Sequence, residues 1–158
     1  MRLTSFTDYS LRVLIYLAVQ PGGRATIAEI ARTYDISESH LTKVVHALGK
    51  EHFLANVRGR GGGLALARPA REINVGDVVR AAEGAAMPAA CFEPGSALCA
   101  IAQVCRLRGV LDEAVQAFYA VLDRYTLEDL AKNRTSLKKV LFPTPSSPRA
   151  SDPVARRN

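Results

Sequence analysis

Two short helical segments separated by a brief break constrain the fold of this chain more than any other feature. Thr26 precedes residues 27–36, and Glu29, three residues further on, completes the sequence of a capping box. Ser37 precedes residues 38–51, whose apolar side chains recur on one helical face. Such a pair is typical of a helix-turn-helix, in which the second helix enters the major groove of DNA.

A glycine-rich hairpin follows the helix pair directly. Residues 53–57 and 63–67 have the composition of two strands, and the loop between them reads Arg58-Gly59-Arg60-Gly61-Gly62. A helix pair followed by such a hairpin predicts a winged helix-turn-helix. The wing tip is expected to reach a narrow minor groove through Arg58 and Arg60. The residues expected to read bases or bind phosphate on the second helix are Ser37, Ser39, His40, Thr42 and Lys43.

The remaining segments predict further helices. Residues 3–19 predict a first helix that Thr4 or Thr7 can cap, and Asn74 opens another over residues 75–84. From residue 108 to about residue 133, apolar side chains recur at helical spacing and predict one helix that has little of its own chain to cover it. We therefore expect a homodimer that packs along this dimerisation helix.

The pattern predicts a mainly α fold with a small β-hairpin wing, that is, a winged helix-turn-helix with a long dimerisation helix. The DNA-binding domain covers residues 1–80, a cysteine-containing loop residues 81–107, and the dimerisation helix with a C-terminal segment residues 108–140. Residues 141–158 contain four prolines and three serines with little apolar content, and we expect a disordered tail.

Charge and composition narrow the classes of function. Residues 1–68 carry nine Lys or Arg against five Asp or Glu, whereas residues 69–140 carry nine of each kind. A basic first half beside a neutral second half suits a surface for double-stranded DNA joined to a dimerising or sensing part.

No apolar run is long enough for a membrane span, so we expect a cytoplasmic protein without membrane contact. The absence of a phosphate loop, paired catalytic carboxylates or a nucleophile elbow from the sequence argues against an enzyme.

The three cysteines, Cys91, Cys99 and Cys105, lie within 15 residues in the spacing C-x7-C-x5-C. Three cysteines cannot all pair within one chain, so thiolate chemistry or a metal is a better explanation than a disulfide framework. Thiolates are preferred ligands of iron-sulfur clusters and of zinc, and the lack of a C-x2-C pair favours a cluster. A fourth position stays open. The spacing alone does not choose between a carboxylate and the histidines of the DNA-reading half, His40, His46 and His52.

The chain resembles the winged-helix iron-sulfur transcription regulators of the IscR/NsrR family. The similar segments are MRLTSFTDYSLRVLIYLA, ISESHLTKVVHAL, VRGRGGGLALAR, the three cysteines and LEDL near residue 130, about 135 residues in all. IscR-like members carry a histidine three residues after the last cysteine, where this chain has Arg108. Asp8, in TDYSLR, matches the aspartate that NsrR-type members supply as fourth ligand from the other subunit. The resemblance is therefore to the NsrR-type members.

This resemblance implies an iron-sulfur cluster, with 4Fe-4S favoured over 2Fe-2S, whose ligands are Cys91, Cys99, Cys105 and Asp8 of the partner subunit. It also implies that the cluster-bearing homodimer represses genes for nitric oxide detoxification, and that nitric oxide is the effector that releases operator DNA. Arg12, one turn beyond Asp8, and Glu83 are expected to make polar contacts near the cluster. The alternative is a regulator of the same fold that senses iron, cluster status or thiol oxidation.

Overall fold

The computed structural model describes residues 3–84, 89, 92, 99–101 and 103–143, and its elements follow the order of a winged helix-turn-helix. The helices and strands are α1 (Ser5–Val19), α2 (Ile27–Tyr34), α3 (Glu38–Lys50), β1 (Leu54–Val57), β2 (Gly63–Leu66), α4 (Val75–Glu83), α5 (Arg106–Leu122), α6 (Leu127–Leu130) and α7 (Arg134–Leu141). A short 3-10 turn, Ala70–Glu72, lies between β2 and α4. None of the helices in the described part of the chain is long and apolar enough to cross a membrane.

The predicted helix pair is confirmed, together with its caps. The Thr26 backbone N–H donates to Glu29 Oε2 at 2.6 Å, and Glu29 N–H donates to Thr26 Oγ1 at 3.2 Å, which completes the capping box at the start of α2. Ser37 Oγ accepts from the His40 N–H at 3.4 Å and caps α3. Between the two helices Asp35 adopts a left-handed conformation with φ of 53°, which turns the chain sharply enough for α3 to pack on α2.

The predicted wing is also confirmed, as an antiparallel hairpin. Leu54 pairs with Leu66 and Val57 with Gly63. The outer edge of β2 is hydrogen-bonded to the residue before the Thr26 cap, since Leu64 N–H donates to Ala25 O at 2.7 Å and Ala25 N–H donates to Leu64 O at 3.1 Å. The wing therefore has a fixed position relative to the helix pair.

Helix α1 runs through the middle of the domain and supplies the centre of its core. Val13, Leu14 and Leu17 are buried, and the helix packs against α3, α4, α6, α7 and β2. Thr4 caps it, and the Thr4 hydroxyl accepts from Thr7 N–H at 3.3 Å. Leu141, the last residue of α7, belongs to the same core. Residues 144–158, which make up most of the predicted disordered tail, lie outside the described residues.

The predicted single helix from residue 108 to about 133 is wrong in its extent. Helix α5 ends at Leu122, and a capping box between Thr126 and Asp129 starts the separate helix α6. The break is held by tertiary hydrogen bonds, in which Val75 N–H donates to Tyr125 O at 3.0 Å and Leu127 N–H donates to Ile73 O at 2.8 Å. These bonds use backbone groups that a continuous helix would have kept for itself.

Candidate functional site

The first half of α3 presents the predicted DNA-reading residues to solvent. Leu41, Val44 and Val45 are buried against the core and hold the helix in place. The Thr42 hydroxyl donates to Glu38 O at 2.7 Å, and the Ser37 and Ser39 hydroxyls lie 3.3 Å apart, so the hydroxyl oxygens keep free lone pairs for a ligand. The residues that are exposed together here are Ser37, Ser39, His40, Thr42 and Lys43.

The wing turn presents the two predicted arginines. Gly59 and Gly61 have φ values of 100° and 75°, which only glycine adopts readily, and Gly62 N–H donates to Gly59 O at 2.9 Å. The turn is therefore tight, and Arg58 and Arg60 are both exposed on it. Within the described ranges neither of these arginines, nor Lys43, takes part in an ion pair. Their charge is available to phosphate.

On α1 the carboxylate predicted as a cluster ligand lies in an ion pair. Arg12 Nη2 lies 2.8 Å from Asp8 Oδ2, and Arg12 Nε donates to Asp8 Oδ1 at 3.0 Å. The Asp8 side chain is 46% exposed, so another molecule can reach it. In the described chain, the polar partner of Arg12 is therefore Asp8 itself.

The same arginine connects Asp8 to the helix-turn-helix. The Arg12 guanidinium lies 5.8 Å from the centre of the Tyr34 ring at the end of α2, and Tyr34 OH donates to Arg12 O at 3.3 Å. Burial raises the pKa of Tyr34 to about 12, against a smaller lowering by Arg12. Sequence reasoning missed Tyr34, because no local pattern relates residues 22 positions apart.

Glu83 ties the end of α4 to the start of α1. It accepts from Thr4 N–H at 2.8 Å, from Thr4 Oγ1 at 3.1 Å and from the Thr7 hydroxyl. Burial raises the pKa of Glu83, but the hydrogen bonds from Thr7 and Thr4 outweigh that effect and leave the pKa below its usual range. Glu83 is the last residue of α4 before the segment that carries the cysteines.

Two of the three cysteines fall within the described residues. Cys99 is exposed, and Cys105 is half-buried at the N-cap of α5, where the positive end of the helix favours a negatively charged ligand. Both are free thiols. Cys91 lies outside the described residues. Among the residues that the structure places, no three His, Cys, Asp or Glu side chains come together as metal ligands, so Asp8, Cys99 and Cys105 do not form a common site within the described chain.

Comparison with known families decides the relationship. The profile of Rrf2, described as an iron-dependent transcriptional regulator, matches residues 3–133. The chain belongs to the Rrf2 family. Like the other members of this family, it is a transcriptional regulator and not an enzyme.

The nature of the relatives agrees with the resemblance seen in the sequence. This Rrf2 regulator is 49% identical over 142 residues to the HTH-type transcriptional regulator NsrR of Bacillus subtilis. The alignment covers 89% of this chain and 97% of the relative. The chain is 45% identical over 142 residues to NsrR of Halalkalibacterium halodurans, with the same shares covered. It is therefore an NsrR-type Rrf2 regulator.

Solved structures agree on the fold. The structure of T. potens IscR has a TM-score of 0.69 and 26% identity, over 87% of this chain and 91% of that one. The oxidized form of Staphylococcus aureus CymR has a TM-score of 0.65 and 28% identity, over 84% of this chain and 97% of that one. The predicted mainly helical winged-helix fold of this Rrf2 regulator is thus confirmed.

Proposed function

We propose that this regulator is a nitric-oxide-sensing repressor, a homodimer whose binding to operator DNA is controlled by an iron-sulfur cluster. The observation that carries the proposal is the position of the thiols in an NsrR-type chain. The cysteine segment joins Glu83, which is hydrogen-bonded to the start of α1, to Arg106, the first residue of α5. A ligand held by this segment is linked on one side to the DNA-binding domain and on the other to the helix expected to dimerise.

The exposed side of α5 supports the homodimer. No residue of this helix is buried, and four large apolar side chains on the helix and just after it are at least 45% exposed: Leu107, Val110, Val121 and Tyr125. From Leu107 to Val121 the apolar positions follow one another at steps of three and four residues, which is the spacing of a helix-helix seam. A second copy of the same helix would cover this stripe.

The exposed residues of α3 and the wing support binding to operator DNA. The hydroxyls and His40 on α3 offer donors and acceptors to base edges and phosphates. Lys43, Arg58 and Arg60 add positive charge without internal partners in the described ranges. Two such domains in a symmetric dimer would read two half-sites of a palindromic operator.

The side-chain chemistry fits an iron-sulfur cluster held by Cys91, Cys99, Cys105 and Asp8 of the partner subunit, with 4Fe-4S favoured over 2Fe-2S. Cys99 and Cys105 are free thiols with solvent access, and thiolates are the ligands that such clusters require. Asp8 is a half-exposed carboxylate that Arg12 keeps in a defined orientation. A bound cluster would supply an iron centre that reacts with nitric oxide.

An anaerobic titration with nitric oxide tests the proposal. The visible absorbance of the purified protein and its binding to operator DNA are followed in the same samples. We expect both to fall together, and we expect Cys99→Ala to lack the absorbance and the tight DNA binding from the start. The matched control is Gln103→Ala, since Gln103 is an exposed residue between Cys99 and Cys105.

Two results would contradict the proposal. Native absorbance retained in Cys99→Ala would remove the cysteine as a ligand. Visible absorbance that persists under nitric oxide, or DNA binding that ignores its loss, would favour the sensing of iron, cluster status or thiol oxidation by the same fold. Release of DNA by peroxide in protein without visible absorbance would identify the thiol sensor among these.

A further inference from the structure

Polar contacts connect α4 and its N-cap, Asn74, to Asp123, the residue that follows the last turn of α5. Arg80 Nη1 donates to Asp123 Oδ1 at 2.8 Å, and Arg80 Nη2 donates to Asp123 Oδ2 at 2.6 Å. This two-pronged geometry fixes the direction as well as the distance of the contact. Asn74 Nδ2 donates to Asp123 O at 2.8 Å, so the backbone and the side chain of Asp123 are both held. We call these residues, with Gly76, the α4–α5 clasp.

The clasp is continuous with packing on both sides. The Arg80 guanidinium lies 4.6 Å from the centre of the Tyr119 ring on α5, so one side chain contacts two turns of that helix. Asn74 also caps α4, because its Oδ1 accepts from Asp77 N–H at 3.3 Å. The hydrogen bond from Arg80 lowers the pKa of Asp123 below its ordinary value.

Gly76 makes room for the clasp. It is buried in the first turn of α4, and a Cβ at this position would overlap Asp123 Oδ1 and approach Asn74 Oδ1 and Arg80 Nη1 to 3.0 Å. A glycine inside a helix costs about 0.5–1 kcal/mol relative to alanine. The backbone here is ordinary helix, so close approach by Asp123 is the feature that requires glycine.

We propose that the α4–α5 clasp sets the angle between the winged-helix domain and the dimerisation helix, and so determines which spacing of operator half-sites the dimer accepts. The inference rests on the proposed homodimeric binding to DNA. In a symmetric dimer the two recognition helices must meet half-sites about one helical turn, roughly 34–36 Å, apart. Their separation depends on the angle at which α5 leaves each domain.

A small change at this joint is enough to matter. A rotation of about 10° acting over a domain dimension of about 20 Å moves the recognition helix by about 3.5 Å, close to the rise of one base pair. Arg80, Asp123 and Gly76 contact neither the expected DNA surface nor the predicted cluster ligands in the described part of the chain. They are therefore positioning residues, which act on the spacing of the half-sites only through the angle of α5.

Operators of altered spacing test the clasp. An operator with two half-sites is first selected from random-sequence DNA by the anaerobically purified wild-type dimer. Derivatives with the spacer shortened or lengthened by one and two base pairs are then compared by fluorescence anisotropy. We expect Asp123→Asn and Gly76→Val to lower the preference for the selected spacing by about fivefold or more, while a base change inside a half-site costs them as much as it costs the wild type.

Matched variants separate the clasp from a general effect on stability. Asp112→Asn removes the same charge from an exposed position on α5 that has no ion pair in the described residues, and it should keep the wild-type spacing profile. Arg80→Lys keeps the charge but loses the two-pronged contact, and an intermediate profile is expected. Sedimentation and thermal unfolding establish that each variant is a folded dimer.

The outcomes are distinct. A clasp variant that is a folded dimer and retains the wild-type spacing profile, or that loses affinity equally at every spacing, overturns the inference and leaves the proposed function in place. A wild-type protein that forms no dimer, or shows no dependence on half-site spacing, overturns the proposed mode of DNA binding and this inference with it. A flattened profile in Asp123→Asn and Gly76→Val alone supports the clasp.

Discussion

The exposed stripe on α5 leads to the most direct test of assembly, which is the substitution Val110→Asp. Val110 is 60% exposed in the single chain. Burying a whole valine side chain contributes about 1.5 kcal/mol or more, so the exposed part corresponds to about 1 kcal/mol in each chain. The residue occurs twice at a symmetric interface, and the new carboxylates would also be desolvated without partners.

Together these effects predict a loss of about 3 kcal/mol or more in dimer stability, which corresponds to an increase of more than about 100-fold in the dimer dissociation constant. Sedimentation equilibrium over a range of protein concentrations measures that constant. Because Val110 is exposed in the monomer, the winged-helix domain should keep its thermal unfolding transition. Operator binding should weaken at concentrations where the variant is monomeric.

Val140→Asp is the matched control. Val140 lies on α7 and is 76% exposed, so it presents a valine that is at least as accessible, away from the α5 stripe. Its substitution should leave the dissociation constant within about twofold of the wild type. An unchanged constant in Val110→Asp, or an equal increase in both variants, would refute the assignment of the interface to α5.

Three further predictions concern single side chains. The folded pKa of Glu83 lies below its ordinary value of 4.5, so the charged carboxylate stabilises the fold above pH 4.5, and this contribution is lost as pH falls through the lower folded pKa. Glu83→Gln should therefore make the unfolding free energy less dependent on pH in the acid range. The folded pKa of Tyr34 is raised to about 12 from 10.0, so its contribution to the unfolding free energy is present below pH 10 and is lost as pH rises toward 12. Tyr34→Phe should remove this alkaline loss of stability and one high-pKa tyrosine from the absorbance titration. It should also lower the unfolding free energy near neutral pH by about 1 kcal/mol. Lys43→Gln and Arg60→Gln should each reduce the slope of log affinity for operator DNA against log salt concentration by about one. The control is Lys132→Gln, which removes the ion-pair partner of Asp129 and should leave the slope unchanged.

The helix pair and the wing could be predicted because their signals are local. The capping residues Thr26, Ser37 and Asn74 each form their capping hydrogen bond with a residue three positions away. The turn of the wing depends on Gly59 and Gly61, both of which have a positive φ. In each case the interacting residues are close together in the sequence, so the local sequence pattern is enough to predict the structure.

The end of α5 could not be predicted in the same way. Apolar residues continue at helical spacing past Leu122, and that pattern does not reveal the hydrogen bonds from Val75 N–H to Tyr125 O and from Leu127 N–H to Ile73 O. The Thr126 capping signal is present in the sequence, but only the tertiary bonds decide that it prevails over the helical pattern. The contacts of Glu83 with Thr4 and of Arg80 with Asp123 are likewise distant in sequence.

The two ends of α4 explain how a ligand on the cysteine segment could act on DNA binding. Its C-terminal end is tied through Glu83 to the cap of α1, and α1 carries Asp8 and the arginine that contacts Tyr34 of α2. Its N-cap residue, Asn74, and Arg80 in its last turn are both hydrogen-bonded through the clasp to Asp123 at the end of α5. The cysteine segment connects α4 to α5 in the sequence, so a ligand that fixed the length of this segment would act on the angle between the two helices. Binding at the cysteines would then change the position of the recognition helix through α1, α4 and α5, without any direct contact between the cysteines and DNA.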